Sequence, residues 1–485
     1  MTGFSDLVDL ASERLGASVL YANDDFFAGK ENLIHPSKPV WKEHEYTDRG
    51  KWMDGWESRR RRTPGHDFVI IRLGARGVLR GALVDTAFFR GNYPESCSMG
   101  GASVDANATI DEMLGMEWQE ILPRSPLAGD SENEFEIERT HAFTHVRFNI
   151  FPDGGVARLR LYGDVIPDWH AAGGLGSEVD LAAIENGATV LACSDMFFGP
   201  KHNLIMPGRA LNMSDGWETR RRRGPGHDWV IVKLATEGVP RRIEIDTNHF
   251  KGNYPDTASL ESSRDGHEWQ PLLPRTKLQA HTRHFFRDEL TDAGATSYLR
   301  LNVFPDGGVS RLRVWGTATE AGRRAAAVER IDTLSEAELL AELRSCCASS
   351  AWVESMSRAR PFGSWDALIN SSEGTWESLS PDDWQEAFRA HPRIGEKKAG
   401  ARWTAAEQSG TRQASDATMK ALVDANRQYE KKFGHVYLVC ATGKSGDEML
   451  ANLRGRMTND PKKELAVAAD EQRRITALRL EKLVL

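Results

Sequence analysis

The stretch DGWESRRRRTPGHDFVIIRL, residues 54–73, returns as DGWETRRRRGPGHDWVIVKL at residues 215–234. Around it the same order of motifs recurs. FFAGKENLI from Phe26 matches FFGPKHNLI from Phe197, and GNYP at Gly91 matches GNYP at Gly252. LPR ends at Arg124 and again at Arg275, and FPDGGVARLRLYG from Phe151 matches FPDGGVSRLRVWG from Phe304. Self-similarity in constant order and near-constant spacing marks a duplicated unit. The first copy carries extra residues around Trp41 to Lys51, and the second is shorter before Glu268. Within each copy, runs such as DFVIIRL, RGALVDTAFF, HVRFNIF and ARLRLYG are short and rich in β-formers, and several alternate apolar with polar. TPGHD, RGNYPES and FPDGG supply the turns between them. Many short strands with few helical periods predict a sandwich or jelly roll in each copy.

After Gly316 the composition changes. TATEAGRRAAAVERIDTLSEAELLAELRSCC is rich in Ala, Glu, Leu and Arg and reads with helical periodicity. Ser335 is an N-cap with Glu338 three residues on, a capping box. PDDWQEAFRAH, ATMKALVDANRQYEKKFG, DEMLANLRGRM and ELAVAADEQRRITALRLEKLV continue the helical pattern. The expected architecture is two tandem all-β jelly-roll sandwiches, over residues 1–165 and 166–320, followed by an all-α domain over 325–485. A short linker near Thr317 to Arg324 joins them. A chain of 485 residues suits about three domains at roughly 150 residues each.

Composition narrows the function classes. The net charge of −8 and pI near 6.0 argue against nucleic acid or an anionic membrane as partner. Mean hydropathy is −0.49, and no apolar run approaches the roughly 18 residues of a membrane span. The N-terminus lacks the basic and apolar regions of a secretory signal, and EKLVL is not a peroxisomal address. Five cysteines without a C-x-x-C pair predict free thiols and a cytoplasmic location.

In the helical region, His391-Pro392 follows a helix, and proline disfavours helical geometry at the residue before it. Thr404 then caps a further helix with Glu407 as its third position. Two readings stand on these residues alone: a surface cap and its box, or a His and carboxylate brought together for proton transfer. The ordered set HPRIG, TAAEQ, YEKKFGHVYLVCATGKS, LRGRMTNDPKKEL and EQRRITALRL closely resembles 2-oxo-4-hydroxy-4-carboxy-5-ureidoimidazoline (OHCU) decarboxylase, from about residue 330 to the end. The resemblance implies an all-α, cofactor-free, commonly dimeric enzyme of urate degradation that yields (S)-allantoin. It places the catalytic pair on His391 and Glu407 and the substrate contacts on Pro392, Thr404, Gln408 and Arg456. Thr404 stands where the family has Ser, and the His391 to Glu407 interval is shorter than usual. Backbone groups of Phe433, Gly434 and Val436 are expected against the ureido group.

In the repeats, the paired polar residues are Lys30/Lys201, Asn32/Asn203, Asp54/Asp215, Glu57/Glu218, Arg59/Arg220 of the arginine runs, His66/His227, Asp67/Asp228, Asp85/Asp246 and Asn92/Asn253. Turns and strand ends themselves need Asp and Asn, and Asp153 and Asp306 of FPDGG are read as turn residues. Trp56 and Trp217 read as core rather than sugar platforms. By their pattern His141 and His284 correspond as H-x-F, leaving His145 and His281 unmatched. The doubled D-G-W-E-[ST]-R-R-R-R-x-P-G-H-D motif, with FFxxKxNLI and GNYP, resembles allantoicase over about residues 15 to 320. That resemblance implies hydrolysis of allantoate to (S)-ureidoglycolate and urea on two jelly-roll repeats. Such a reaction needs a cation for the carboxylate, a base or metal to activate water, and an acid for the departing urea. Arginine from the basic run fits the first need, and the His and carboxylate groups fit the others. The same donors suit a divalent metal such as Mn²⁺ or Zn²⁺. The combined expectation is a bifunctional ureide-catabolic enzyme with small-molecule substrates and a homo-oligomeric state. The rival is a tandem carbohydrate-binding protein with a helical interaction domain.

Overall fold

Each repeat is built on one strand of unusual length, Asp67–Asp85 in the first and Asp228–Asp246 in the second. Most of their apolar residues are buried, and in the first Val69, Ile70, Ile71, Leu79, Ala82 and Val84 are all fully enclosed. In a computed structural model of the chain, residues 3–167, 169, 174, 176–391, 415–441 and 444–484 are described. Contacts divide the protein into two units, Met1–Arg323 and Arg324–Leu485.

In the first repeat the early half of the long strand pairs with Ala142–Phe151, which pairs in turn with Ser96–Ala102. The later half pairs with Arg158–Val165 and with Glu132–Glu136. A register shift near Phe143 and His145 separates the two halves, so a single strand serves both layers of an antiparallel sandwich. The second repeat follows the same order with Thr296–Phe304, Thr257–Ser263, Arg311–Ala318 and Arg283–Phe286 as partners. The jelly-roll reading therefore holds for both copies, and Trp56 and Trp217 lie fully inside.

Buried ion pairs fix the turns. Arg158, 2% exposed, donates to Asp54 Oδ2 at 2.9 Å and to the carbonyls of Asp54, Ser37 and Ala157. Arg311 does the same for Asp215 at 3.1 Å. The FPDGG turns hold the arginine runs, because Asp153 and Asp306 each accept from the backbone N–H of Arg61 and Arg222 at 2.8 Å. Gly154 and Gly307 in these turns have φ of 138° and 135°, a region open to glycine at little cost.

One pairing between the repeats is corrected by the register. Asp85 faces Glu132 while Asp246 faces Arg283, so His284 takes the place of Asn133, and His281 that of Asp130. The shared role agrees: Asn133 accepts from Ala128 N–H and His284 from Gln279 N–H, each at 2.8 Å. Sequence spacing had matched His141 with His284 because both precede an aromatic residue by two.

The extra residues of the first copy form a small hairpin, Tyr46–Thr47 with Gly50–Lys51. Its Trp41 ring lies 5.8 Å from Phe88. The second unit is helical, with helices at Glu320–Thr333 (which begins in the first unit), Glu336–Cys346, Ser350–Ala359, Trp365–Ser378, Pro381–Arg389, Asp416–Phe433, Gly446–Arg456 and Pro461–Glu481. Ser335 and Glu338 make the expected capping box. Leu339, Leu343, Trp352, Leu368, Phe388 and Leu480 form its core.

His145 is buried at the strand where the second repeat has Tyr298, and burial beside Arg72 pushes its imidazole down to about 4. The unfolded chain protonates it near ~6.5. Stability present above that value is therefore lost as pH falls toward 4. Calorimetry of the jelly-roll unit should show Tm falling through this window, with a shallower fall in His145→Asn. Parallel curves for the two proteins would remove the imidazole from the account.

Candidate active sites

The sequence GPGHD ends in a turn that sets His227 just before the long strand of the second repeat. Side chains on a strand alternate faces, so Arg300, Asn302 and Phe304 share one face of their strand. Ser259 and Glu261 stand directly across from Asn302 and Arg300. The result is a polar cluster on the open face of the sheet. His227 Nε2 is 3.2 Å from Asn302 Oδ1, and its ring lies 4.5 Å from that of Phe304, tilted by 32°. The Arg275 guanidinium lies over the same ring at 4.0 Å, with its Nε donating to Thr257 Oγ1. Glu261 accepts from Arg300 Nε at 2.7 Å and from Asn302 Nδ2 at 2.8 Å. These groups line a cavity of about 650 Å³.

The first repeat keeps most of this. His66 lies 3.3 Å from Asn149 and 4.7 Å from Phe151, and Arg124 covers Phe151 at 4.3 Å. Burial, outweighing the Asn149 hydrogen bond, holds the His66 imidazole below its ordinary value. Gly100 faces Arg147, so the place of Glu261 has no carboxylate here. Sequence reading found the histidines but missed Arg124/Arg275, Arg147/Arg300, Asn149/Asn302 and Glu261. The signal was present: R-x-N-x-F occurs in both copies, and a period of two puts all three side chains on one face.

Most other candidates have partners inside the fold. Asp67 and Asp228 are buried against Arg61 and Arg222, each at 2.5 Å. Asn32 and Asn203 donate to the carbonyls of Gly55 and Gly216. Arg59 and Arg220 pair with Asp24 and Asp195. Lys30 pairs with Glu31, and Lys201 reaches Asp6 at 2.7 Å. Glu57 and Glu218 accept from Asn92 and Asn253, and burial pushes both carboxyls up. Asp85 and Asp246 accept from Ala87 and Asn248 N–H, and burial raises them too. Asp246 belongs to a second cavity that shares no lining residue with the His227 site. Among the described residues no group of three or more His, Cys, Asp or Glu is placed to hold a metal ion.

In the helical unit, His391 follows the helix Pro381–Arg389 with its N–H on the Phe388 carbonyl at 3.1 Å. Pro392, Thr404, Glu407 and Gln408 lie outside the described residues. Phe433 ends its helix, Gly434 caps it at φ 78°, and Val436 packs on the core. Arg456 is buried in full hydrogen bonding. It donates to Glu464 Oε1 from Nε at 2.7 Å and to the Leu438 carbonyl from Nη1 at 2.6 Å. Tyr429 also donates to Glu464. Burial alone would lower Arg456, but pairing with Glu464 outweighs it and moves the group up. His435, which sequence reading passed over, packs among the rings of Phe388, Tyr429 and Phe433 at 5.3, 5.5 and 6.3 Å.

Residues 8–166 and 179–319 match the Allantoicase repeat family, and residues 332–481 match the OHCU decarboxylase family. Fold, sites and matches together define a two-part enzyme of ureide catabolism, hydrolase in its β unit and lyase in its α unit. A probable allantoicase of Photobacterium profundum is 48% identical over 330 residues, covering 65% of this chain and 98% of that protein. The allantoicase of Dictyostelium discoideum is 48% identical over 322 residues, covering 64% and 87%. The solved allantoicase from Saccharomyces cerevisiae superposes with a TM-score of 0.56 at 36% identity, over 64% of this chain and 92% of that one. The chain belongs to the allantoicase family, and it carries an OHCU decarboxylase domain after the repeats. The carbohydrate-binding alternative is not favoured, and the fully buried Trp56 and Trp217 offer no sugar platform.

Replacing Glu464 by Leu leaves Arg456 charged and buried without its counter-ion. Such a loss costs about 3–5 kcal/mol. Thermal unfolding should show the helical unit's transition falling while that of the β unit stays in place.

Proposed function

We propose that the β unit hydrolyses allantoate to (S)-ureidoglycolate and urea at the His227 face of the second repeat. We further propose that the α unit decarboxylates OHCU to (S)-allantoin. The observation that carries the first assignment is the His–Phe–Arg stack with its asparagine, kept in both copies and joined by a carboxylate in the second.

Allantoate carries two ureido groups and a carboxylate on one carbon. Arg275, which lies over the Phe304 ring and lines the cavity, suits the carboxylate through its planar fork. One C–N bond must break, the departing urea nitrogen must gain a proton, and water must supply the hydroxyl that replaces it. His227 and Glu261 are the groups at hand for those transfers, linked through Asn302. Positioned proton transfer is worth about 10²–10⁴-fold. His227→Asn should lower kcat for urea release by that order, and Arg275→Met should raise KM. His66→Asn should leave kcat nearly unchanged; the opposite ranking would move the active site to the first repeat. Urea release surviving dialysis against EDTA supports proton transfer by these residues. Loss restored by Mn²⁺ or Zn²⁺ would overturn it in favour of a metal.

In the α unit, decarboxylation leaves an electron pair that the ring accepts, so the protein has only to orient the carboxylate and deliver a proton. His391 with Glu407 performs the delivery without a cofactor. Pro392, Thr404, Gln408 and the backbone of Phe433, Gly434 and Val436 surround the substrate. Arg456, the further substrate contact that the resemblance implies, is held by Glu464, Tyr429 and the Leu438 carbonyl. His391→Asn should lose about 10²–10⁴-fold in turnover with unchanged circular dichroism. Retained turnover would remove His391 from the mechanism. A homo-oligomer in the cytoplasm completes the proposal: Phe197, Phe198 and Leu211 are exposed apolar residues suited to self-association, and the five cysteines are free thiols.

A further inference from the structure

The Asn302 amide joins the two titratable groups of the His227 face, and its neighbours fix which way it points. Glu261 is paired with Arg300 through Nε at 2.7 Å and Nη2 at 2.6 Å, and an ionised carboxylate only accepts hydrogen bonds. The Asn302 group 2.8 Å from Glu261 Oε2 is therefore the amide nitrogen, which also reaches Ser259 Oγ at 3.4 Å. The amide oxygen is left toward His227 Nε2, 3.2 Å away. That oxygen has no proton to give, so the imidazole supplies one and Nε2 carries the hydrogen. Nδ1 is then the basic nitrogen of the neutral ring, and it has no partner among the described residues.

The first repeat holds the same amide in a different setting. Asn149 Nδ2 donates to Ser98 Oγ at 3.1 Å, and Asn149 Oδ1 is shared between His66 at 3.3 Å and Arg147 Nε at 3.1 Å. The Arg147 guanidinium lies over Phe68 at 3.9 Å. In the second repeat Glu261 takes the arginine instead, and Arg300 lies over Trp269 at 4.9 Å. Asn302 Oδ1 is thereby left to His227 alone. Trp118 holds the place of Trp269 before the first LPR motif, and it keeps position 100 a glycine. A Cβ there would lie 2.7 Å from the Trp118 Cβ. Glu261 thus acts on the imidazole twice through Asn302: it turns the amide, and it removes a competing guanidinium.

We infer that Asn302 is a positioning residue of the hydrolase, oriented by Glu261, and that it holds His227 in the tautomer that exchanges protons through Nδ1. The inference rests on placing allantoate hydrolysis at this face. Nδ1 takes a proton from the attacking water as the water oxygen bonds to the carbon that bears the two ureido groups. It returns that proton to the departing urea nitrogen as the C–N bond breaks, so the ring ends the cycle neutral. Asn302 Oδ1 accepts from Nε2–H throughout and keeps the ring in place while its charge rises and falls.

Nuclear magnetic resonance of the full chain with isotope-labelled histidine reads the tautomer, and the spectrum of His227→Asn identifies the signal. The expected wild-type ring has its proton on Nε2, in slow exchange with water. Asn302→Leu should lose that slow exchange and lower kcat for urea release about tenfold, the worth of one such hydrogen bond. KM should stay nearly unchanged, and Asn302→Ala serves where calorimetry shows that the leucine does not fit. A proton on Nδ1 in the wild type, or a slowly exchanging Nε2 proton in a folded Asn302 variant, would overturn the inference. Urea release by His227→Asn separates the two possible failures. Its loss beside the wrong tautomer sinks only this inference, and its persistence sinks the hydrolase assignment whatever the tautomer.

Discussion

The structure of each repeat depends on one buried contact, arginine to aspartate between the strand after FPDGG and the turn before GW. Arg158 and Arg311 each satisfy a side-chain carboxylate and neighbouring carbonyls at once. A buried guanidinium requires nearly all its N–H groups to be occupied, so this contact sets the distance between two segments about a hundred residues apart in sequence. It anchors the turn that leads into the arginine run. The run is held again by Asp153 or Asp306, and His66 or His227 follows it. The position of the candidate catalytic imidazole is thus inherited from an ion pair that takes no part in the chemistry.

That inheritance explains which differences between the copies carry meaning. Residues needed for the scaffold have been kept twice, including Asp54/Asp215, Asp67/Asp228 and Asn32/Asn203. Residues that differ are the ones that distinguish the two repeats chemically. Glu261 faces Arg300 where Gly100 faces Arg147, which gives the second face a carboxylate. Glu244 and Arg283 stand where the first repeat has Leu83 and Glu132, and both line the second polar cavity of the second repeat. A duplicated fold supplies an internal control of this kind without any further sequence.

The fold class was legible because period-two runs, turn clusters and an exact order of repeats are local signals. The helical caps were legible for the same reason, and Ser335 with Glu338 is the plainest case. The site was less so. Asp54, Asp67 and Asn32 attract attention as polar residues kept in both copies, yet their partners are Arg158, Arg61 and the Gly55 carbonyl, which only the folded chain brings near. Arg275 and Asn302 lie on strands, where polar residues look like solvent-facing alternation until the register puts them beside His227. His284 was paired with His141 by a short pattern, and strand register instead sets it opposite Ile245. Sequence spacing reports faces within a strand, whereas a site on a sheet is assembled across strands.

The two activities are not adjacent in chemistry. Decarboxylation of OHCU yields a closed hydantoin ring, whereas the hydrolase needs the ring already opened to a free carboxylate. A separate ring-opening hydrolysis must stand between them, so the product of one unit is not the substrate of the other. Joining the units in one chain therefore cannot serve direct transfer between their sites. What it does fix is their ratio: every decarboxylase is made with one pair of repeats. Within that pair, Glu261 belongs to the second repeat alone, so on this reading each chain carries one hydrolytic site for each decarboxylase site.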